Sequence, residues 1–185
     1  MMNEIAKSFR EYASRDDVPL GGYAGAMGAF TVVLAAVSWG VTRKKRPEPG
    51  LMDITLLGVG THKLSRIITK DFVTAPLRAP FTVRRGKDGA GEVIDEPRGK
   101  QVRGSLGYLL TCPYCLGPWL GTGLSALLAV RPTTTRFVLR MLTAVTISDF
   151  LHLAYSRLNE SRKTVLAERK VQEREVRAQP RGALR

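Results

Sequence analysis

Apolar and charged positions fall into long separate blocks along this chain. Tyr23–Val41 is a charge-free run of nineteen residues rich in Ala, Val and Gly. As a helix it would cover about 28 Å, close to the hydrocarbon thickness of a bilayer. Tyr23 and Trp39 stand near its two ends, where interfacial aromatic residues sit. Leu106–Val130 is a second charge-free run, and residues 137–156 form a third apolar stretch that carries Arg140, Asp149 and His152. The pattern predicts three membrane-spanning helices, the last two joined as an antiparallel hairpin at Arg131-Pro132. Gly21/Gly25, Ala24/Gly28 and Gly117/Gly121/Ser125 place small residues four apart, the spacing that lets helices pack closely, on a neighbour or on a second copy of the chain.

The stretches between are of a different kind. Leu51–Thr69 begins apolar, but His62, Lys63 and Arg66 intrude, and its uncharged part is too short to cross a bilayer. It reads as a helix lying at the interface or crossing obliquely, with Lys63 and Arg66 reaching to headgroups. Residues 70–105 are polar and basic. Pro76 and Pro80 rule out a regular helix over Val73–Phe81. Thr82–Arg85 and Glu92–Asp95 flank a glycine-rich turn and suggest a small β-hairpin. That turn lacks the Gly-x-x-x-x-Gly-Lys-Ser/Thr spacing of a phosphate loop. Residues 1–22 are polar, with Ile5, Phe9 and Tyr12 at helical spacing. Residues 157–185 read as a basic helical tail ending in a disordered segment. The expected fold class is thus an all-α membrane protein: a small bundle of three clear transmembrane helices plus one short interfacial or oblique helix, with a cytoplasmic loop holding a β-hairpin.

Charge adds a partner and an orientation. The 185 residues include 29 Lys and Arg against 16 Asp and Glu, a net charge of +13. Such an excess calls for an anionic partner, either lipid headgroups or nucleic acid. The tail lacks interleaved aromatic residues and a folded module, which disfavours nucleic acid. Arg43-Lys44-Lys45-Arg46 directly after the first run reads as a stop-transfer and headgroup-binding cluster. The positive-inside bias favours three spans with the N-terminus outside. Four spans with the N-terminus inside would leave Arg43–Arg46 on the outer face. Both arrangements put residues 70–105, both cysteines and the tail in the cytoplasm. No cleavable signal peptide is expected, because charged residues are scattered through residues 1–21.

The candidate chemistry centres on Cys112-Pro113-Tyr114-Cys115, which holds both cysteines of the chain. Two cysteines three apart exclude a disulfide scaffold. C-P-Y-C resembles a glutaredoxin active site, where a helix N-terminus activates a thiolate, but no βαβ pattern surrounds it here. It is also half of a zinc set, which His152 and Asp149 could complete; His62 is the other histidine. The plainer reading is that the thiols pack as small apolar groups at a helix cap. Asp149, a carboxylate within an apolar run, calls for a partner. Arg66 or Lys63 would make a structural ion pair with it, with Arg140 the poorest candidate on spacing.

Several stretches together resemble one bacterial family. They are Lys63-Leu64-Ser65-Arg66-Ile67-Ile68-Thr69-Lys70-Asp71, Val73–Phe81, Cys112-Pro113-Tyr114-Cys115-Leu116-Gly117-x-Trp119 and Ser148-Asp149-Phe150-Leu151-His152. In this order they are similar to the DUF1360 family of small integral membrane proteins, some of which are labelled sporulation proteins. The resemblance spans about residues 51–158 and implies a membrane location without an assigned activity. The expected role is therefore a non-enzymatic structural or scaffolding component of the bacterial cytoplasmic membrane, multi-pass, with no cofactor and with a protein partner met through the loop or tail. The competing expectation is a membrane-anchored dithiol site on Cys112 and Cys115, for thiol–disulfide exchange or zinc.

Overall fold

A computed structural model describes Glu4, Lys7 and residues 20–43, 48–89 and 91–178, with side chains through Glu173. The expected N-terminal surface helix and Lys44, Lys45 and Arg46 lie outside the described residues. The chain divides into two compact units, Met1–Thr143 and Ala144–Arg185.

The fold is mostly helical. In the first unit α1, Leu20–Thr42, covers the first apolar run. After Pro49-Gly50, α2 runs over Leu51–Thr69, the stretch that the sequence marks as a separate helix. A 3-10 turn at Phe72–Thr74 and a single helical turn at Ala75–Arg78 follow. Pro76 is tolerated because it stands in the first turn, where an N–H would have no helical partner. β1, Thr82–Lys87, and β2, Val93–Pro97, form an antiparallel hairpin with an irregularity between Arg84 and Gly86. Gly89 and Gly91 adopt φ of +72° and +84° in its turn, a region that L side chains avoid.

The third expected element is altered. The span expected over 106–130, with the cysteine motif at its start, falls on two helices, α3, Gln101–Thr111, and α4, Pro113–Val130, and the motif opens the second. Pro113 is the cause. Its ring steers the preceding residue away from helical torsions, and Cys112 sits at φ −113°, ψ 108°. Pro118, by contrast, is accommodated inside α4. α5 starts at Pro132, earlier than the apolar run suggested, and is described through Ala178, so residues 157–178 of the tail are helical. Among the described residues two helices are long and apolar enough to cross a membrane, Leu20–Thr42 and Pro132–Glu173. The three clear spans of the sequence reading reduce to these two on length and composition.

Leu56, Leu124 and Leu139 form the core of the first unit, with Leu57 and Leu64 against it. α2 and α4 pack along each other, and α3 packs on β2. Gly60 brings α2 against α5: a Cβ there would stand 2.5 Å from Leu139 Cδ2, and Leu139 is fully buried. The small-residue spacings are used only in part. A Cβ at Gly121 would touch Thr61 at 3.7 Å, whereas Gly25, Gly28 and Gly117 have open space beside them. Phe30 on α1 meets Trp119 on α4 edge to face at 5.2 Å, and Tyr23 meets Tyr108 at 5.6 Å.

Candidate functional site

Three clusters of chemistry stand in the first unit, and the sequence singled out one of them. That one is the α3–α4 junction. Cys112 is the N-cap of α4, and with Pro113 as the first helical residue the next free N–H groups point back towards it. The Cys115 N–H donates to the Cys112 sulfur at 3.2 Å and to its carbonyl at 3.1 Å. The Cys115 thiol also donates to the Cys112 sulfur, with the two Sγ atoms 2.7 Å apart. Both cysteines are free; Cys112 is half-buried and Cys115 exposed. Burial, then the hydrogen bond and charge of Cys112 beside it, push the Cys115 thiol up to about 11. The pair is thus asymmetric: one sulfur collects two donors, and the other holds its proton.

The second cluster locks the hairpin to the end of α2. Arg78 is fully buried and Asp95 nearly so. Arg78 Nε donates to Asp95 Oδ2 at 2.9 Å. Its Nη1 donates to the Ile68 carbonyl at 2.7 Å, the Asp71 carbonyl at 3.0 Å and Thr74 Oγ1 at 2.7 Å. The last carbonyls of a helix lack intrahelical donors and carry the negative end of its dipole, so a guanidinium there both caps the helix and is stabilised by it. Arg66 pairs with Glu92, and the Val93 N–H donates to the Lys70 carbonyl at 2.9 Å. The hairpin is therefore held to the end of α2 and the turns after it by two ion pairs and by backbone bonds.

The third cluster joins α2 and α5. Arg136 Nε and Nη2 each stand 2.8 Å from an oxygen of the Asp53 carboxylate, a two-point contact. Asp53 is buried, at 7% exposed, in the first turn of α2, where the helix dipole also favours a carboxylate.

The residues named from sequence are distributed as follows. Cys112 and Cys115 meet as described. Arg66 pairs with Glu92. Asp149 and His152 are exposed on α5 in the second unit, with Thr146 of the same stretch buried. Lys63 is half-buried on α2. Arg43 stacks its guanidinium 3.7 Å from the centre of the Trp39 ring, a pairing suited to the edge of a bilayer. Among the described residues no group of three or more His, Cys, Asp or Glu side chains is placed to hold a metal ion. Sequence reasoning missed Asp53, Arg136, Arg78 and Asp95. A signal existed for Asp53, an acid in the apolar opening of Leu51–Gly60, but its partner lies 83 positions away.

Comparison with known proteins gives a family and no activity. A relative in Bacillus subtilis (strain 168), described as sporulation protein YjcA, is 28% identical over 109 residues, covering 57% of this chain and 92% of that protein. No solved structure matches. The family model described as protein of unknown function DUF1360 matches residues 56–155, which takes in most of α2, the hairpin, the cysteine junction and Asp149. The chain belongs to the DUF1360 family.

Proposed function

We propose that this chain is a multi-pass protein of the bacterial cytoplasmic membrane with a structural or scaffolding role rather than a catalytic one. In this reading residues 20–42, 116–130 and 137–156 are solvated by lipid, and α2, packed along α4, crosses obliquely beside it. The observation that carries it is the outward face of α1. None of its residues is buried, and Met27, Val32 and Trp39 are 69%, 69% and 61% exposed. Water would oppose so much apolar surface at about 25 cal/mol per Å², whereas hydrocarbon does not. Phe150 and Leu151, at 64% and 66% exposed, support the same for α5. The hairpin and α3 then form a basic module ahead of the membrane segment that starts at Leu116, facing the cytoplasm by the positive-inside bias. Anionic headgroups are its first partner, at about 1 kcal/mol for each basic residue near the leaflet. The description of the YjcA relative makes sporulation the process to score first in a deletion strain.

Orientation tests this reading. In a Cys112→Ser, Cys115→Ser background, Asp88→Cys places one thiol beside the hairpin turn. A membrane-impermeant maleimide should label it in inverted vesicles and leave it unmodified in intact spheroplasts. Labelling in spheroplasts would overturn the orientation.

A further inference from the structure

We propose that Cys112 and Cys115 are a reversible dithiol–disulfide couple that reacts with low-molecular-weight disulfides, Cys112 attacking and Cys115 resolving. This goes beyond the structural role and stands whether or not that role is correct.

The geometry supplies the parts of such a couple. The sulfurs are already 2.7 Å apart, inside the contact distance of unbonded sulfur and less than 1 Å from a bond of about 2.04 Å. No movement of one helix past another is required to close the bond, since Cys112 is the cap and Cys115 lies in the first turn of the same helix. Two donors, the N–H and the thiol of Cys115, converge on the Cys112 sulfur. Both stand at the start of α4, so Cys112 Sγ is the sulfur on which the donors of the helix N-terminus converge. Cys115, which keeps its proton, suits the second step. Tyr114 between them is 88% exposed, Cys115 is exposed and Cys112 is half-buried, so the pair stands at the surface of the chain.

The exchange balances. The Cys112 thiolate attacks one sulfur of R–S–S–R, forming a Cys112–S–S–R mixed disulfide and releasing RS⁻, which takes up a proton. Cys115 then loses its proton, and its sulfur attacks Cys112 Sγ, forming the Cys112–Cys115 bond and releasing the second thiolate. The chain loses two electrons and two protons, and the oxidant leaves as two thiols. The reverse reaction with excess thiol restores the dithiol.

The test uses the full-length protein in nanodiscs, equilibrated with reduced and oxidised glutathione in varying ratio and quenched with acid. Free thiols are then counted with a mass-tagged maleimide and adducts are read by mass spectrometry. Both thiols should disappear together as the buffer becomes oxidising, with no stable glutathione adduct, and return on reduction. Cys115→Ser should trap a glutathione adduct on Cys112. Cys112→Ser should react with oxidised glutathione at least about tenfold more slowly than Cys115→Ser does. Persistence of both thiols in oxidised glutathione would overturn the proposal, as would stable adducts on both cysteines of the unmodified chain. Protection from maleimide that only a chelator relieves would overturn it in favour of a metal site. The first readout needs no substitution, so a variant that fails to fold leaves the test intact.

Discussion

Replacing Arg78 with methionine should destabilise the hairpin module by about 3–5 kcal/mol, the cost of leaving a buried charge without its partner. The shape of the side chain is roughly kept, so packing is not the main loss. What goes is the hydrogen bond to Asp95 and the cap on Ile68, Asp71 and Thr74. Asp95, 6% exposed, would remain as an unpaired carboxylate. Limited proteolysis of the detergent-solubilised protein should show new cleavage between residues 78 and 100 well below the unfolding temperature of the helices. Arg78→Met combined with Asp95→Leu should recover a substantial part of the loss, because the second change removes the stranded charge. An Arg78→Met protein with unchanged proteolysis and melting would show that the pair does not hold the hairpin. Arg85–Glu96 is a useful contrast. Its side chains are 61% and 55% exposed, and its removal should change stability by no more than about 0.5 kcal/mol.

The second large effect separates lipid from water as the solvent of α1. Val32 and Val102 are both 69% exposed. Val32 lies near the middle of α1, and Val102 is at the start of α3, within the basic module. In water an arginine at either site would be close to neutral, within about 0.5 kcal/mol. If lipid surrounds α1, Val32→Arg should cost about 2.5–3.5 kcal/mol and Val102→Arg almost nothing. The readouts are the fraction of chain that resists alkaline extraction and the temperature at which the bilayer-reconstituted protein loses helicity. Equal behaviour of the two variants would remove the case for a lipid-facing α1.

What could be read along the chain was local. The hairpin was legible because a glycine-rich turn between two short β-prone segments is a short-range signal, and Gly89 and Gly91 take up the positive φ that the turn needs. The α2 boundaries were legible because Pro49-Gly50 precedes the helix and Lys70 closes its apolar pattern. The helix start at the cysteine motif is also local, and the effect of Pro113 on the residue before it is what ends α3 there. The ion pairs were not legible, because each joins positions that only the fold brings together: Arg78 with Asp95, Arg66 with Glu92, and Arg136 with Asp53. Asp149 drew notice as an acid inside an apolar run. Asp53 looked ordinary at the start of a helix, yet it is buried against Arg136. Of the candidate chemistry, the cysteine pair was visible from spacing alone; its asymmetry depends on the cap geometry at Cys112 and was not.

The central claim is that hydrocarbon, not water or protein, surrounds the apolar faces of α1 and α5. The most direct measurement is flotation of membranes from cells expressing the full-length chain, after an alkaline carbonate wash and without detergent. The protein should rise with the lipid fraction and be released only by detergent. Recovery of the washed chain as a folded monomer in the aqueous fraction would contradict the account.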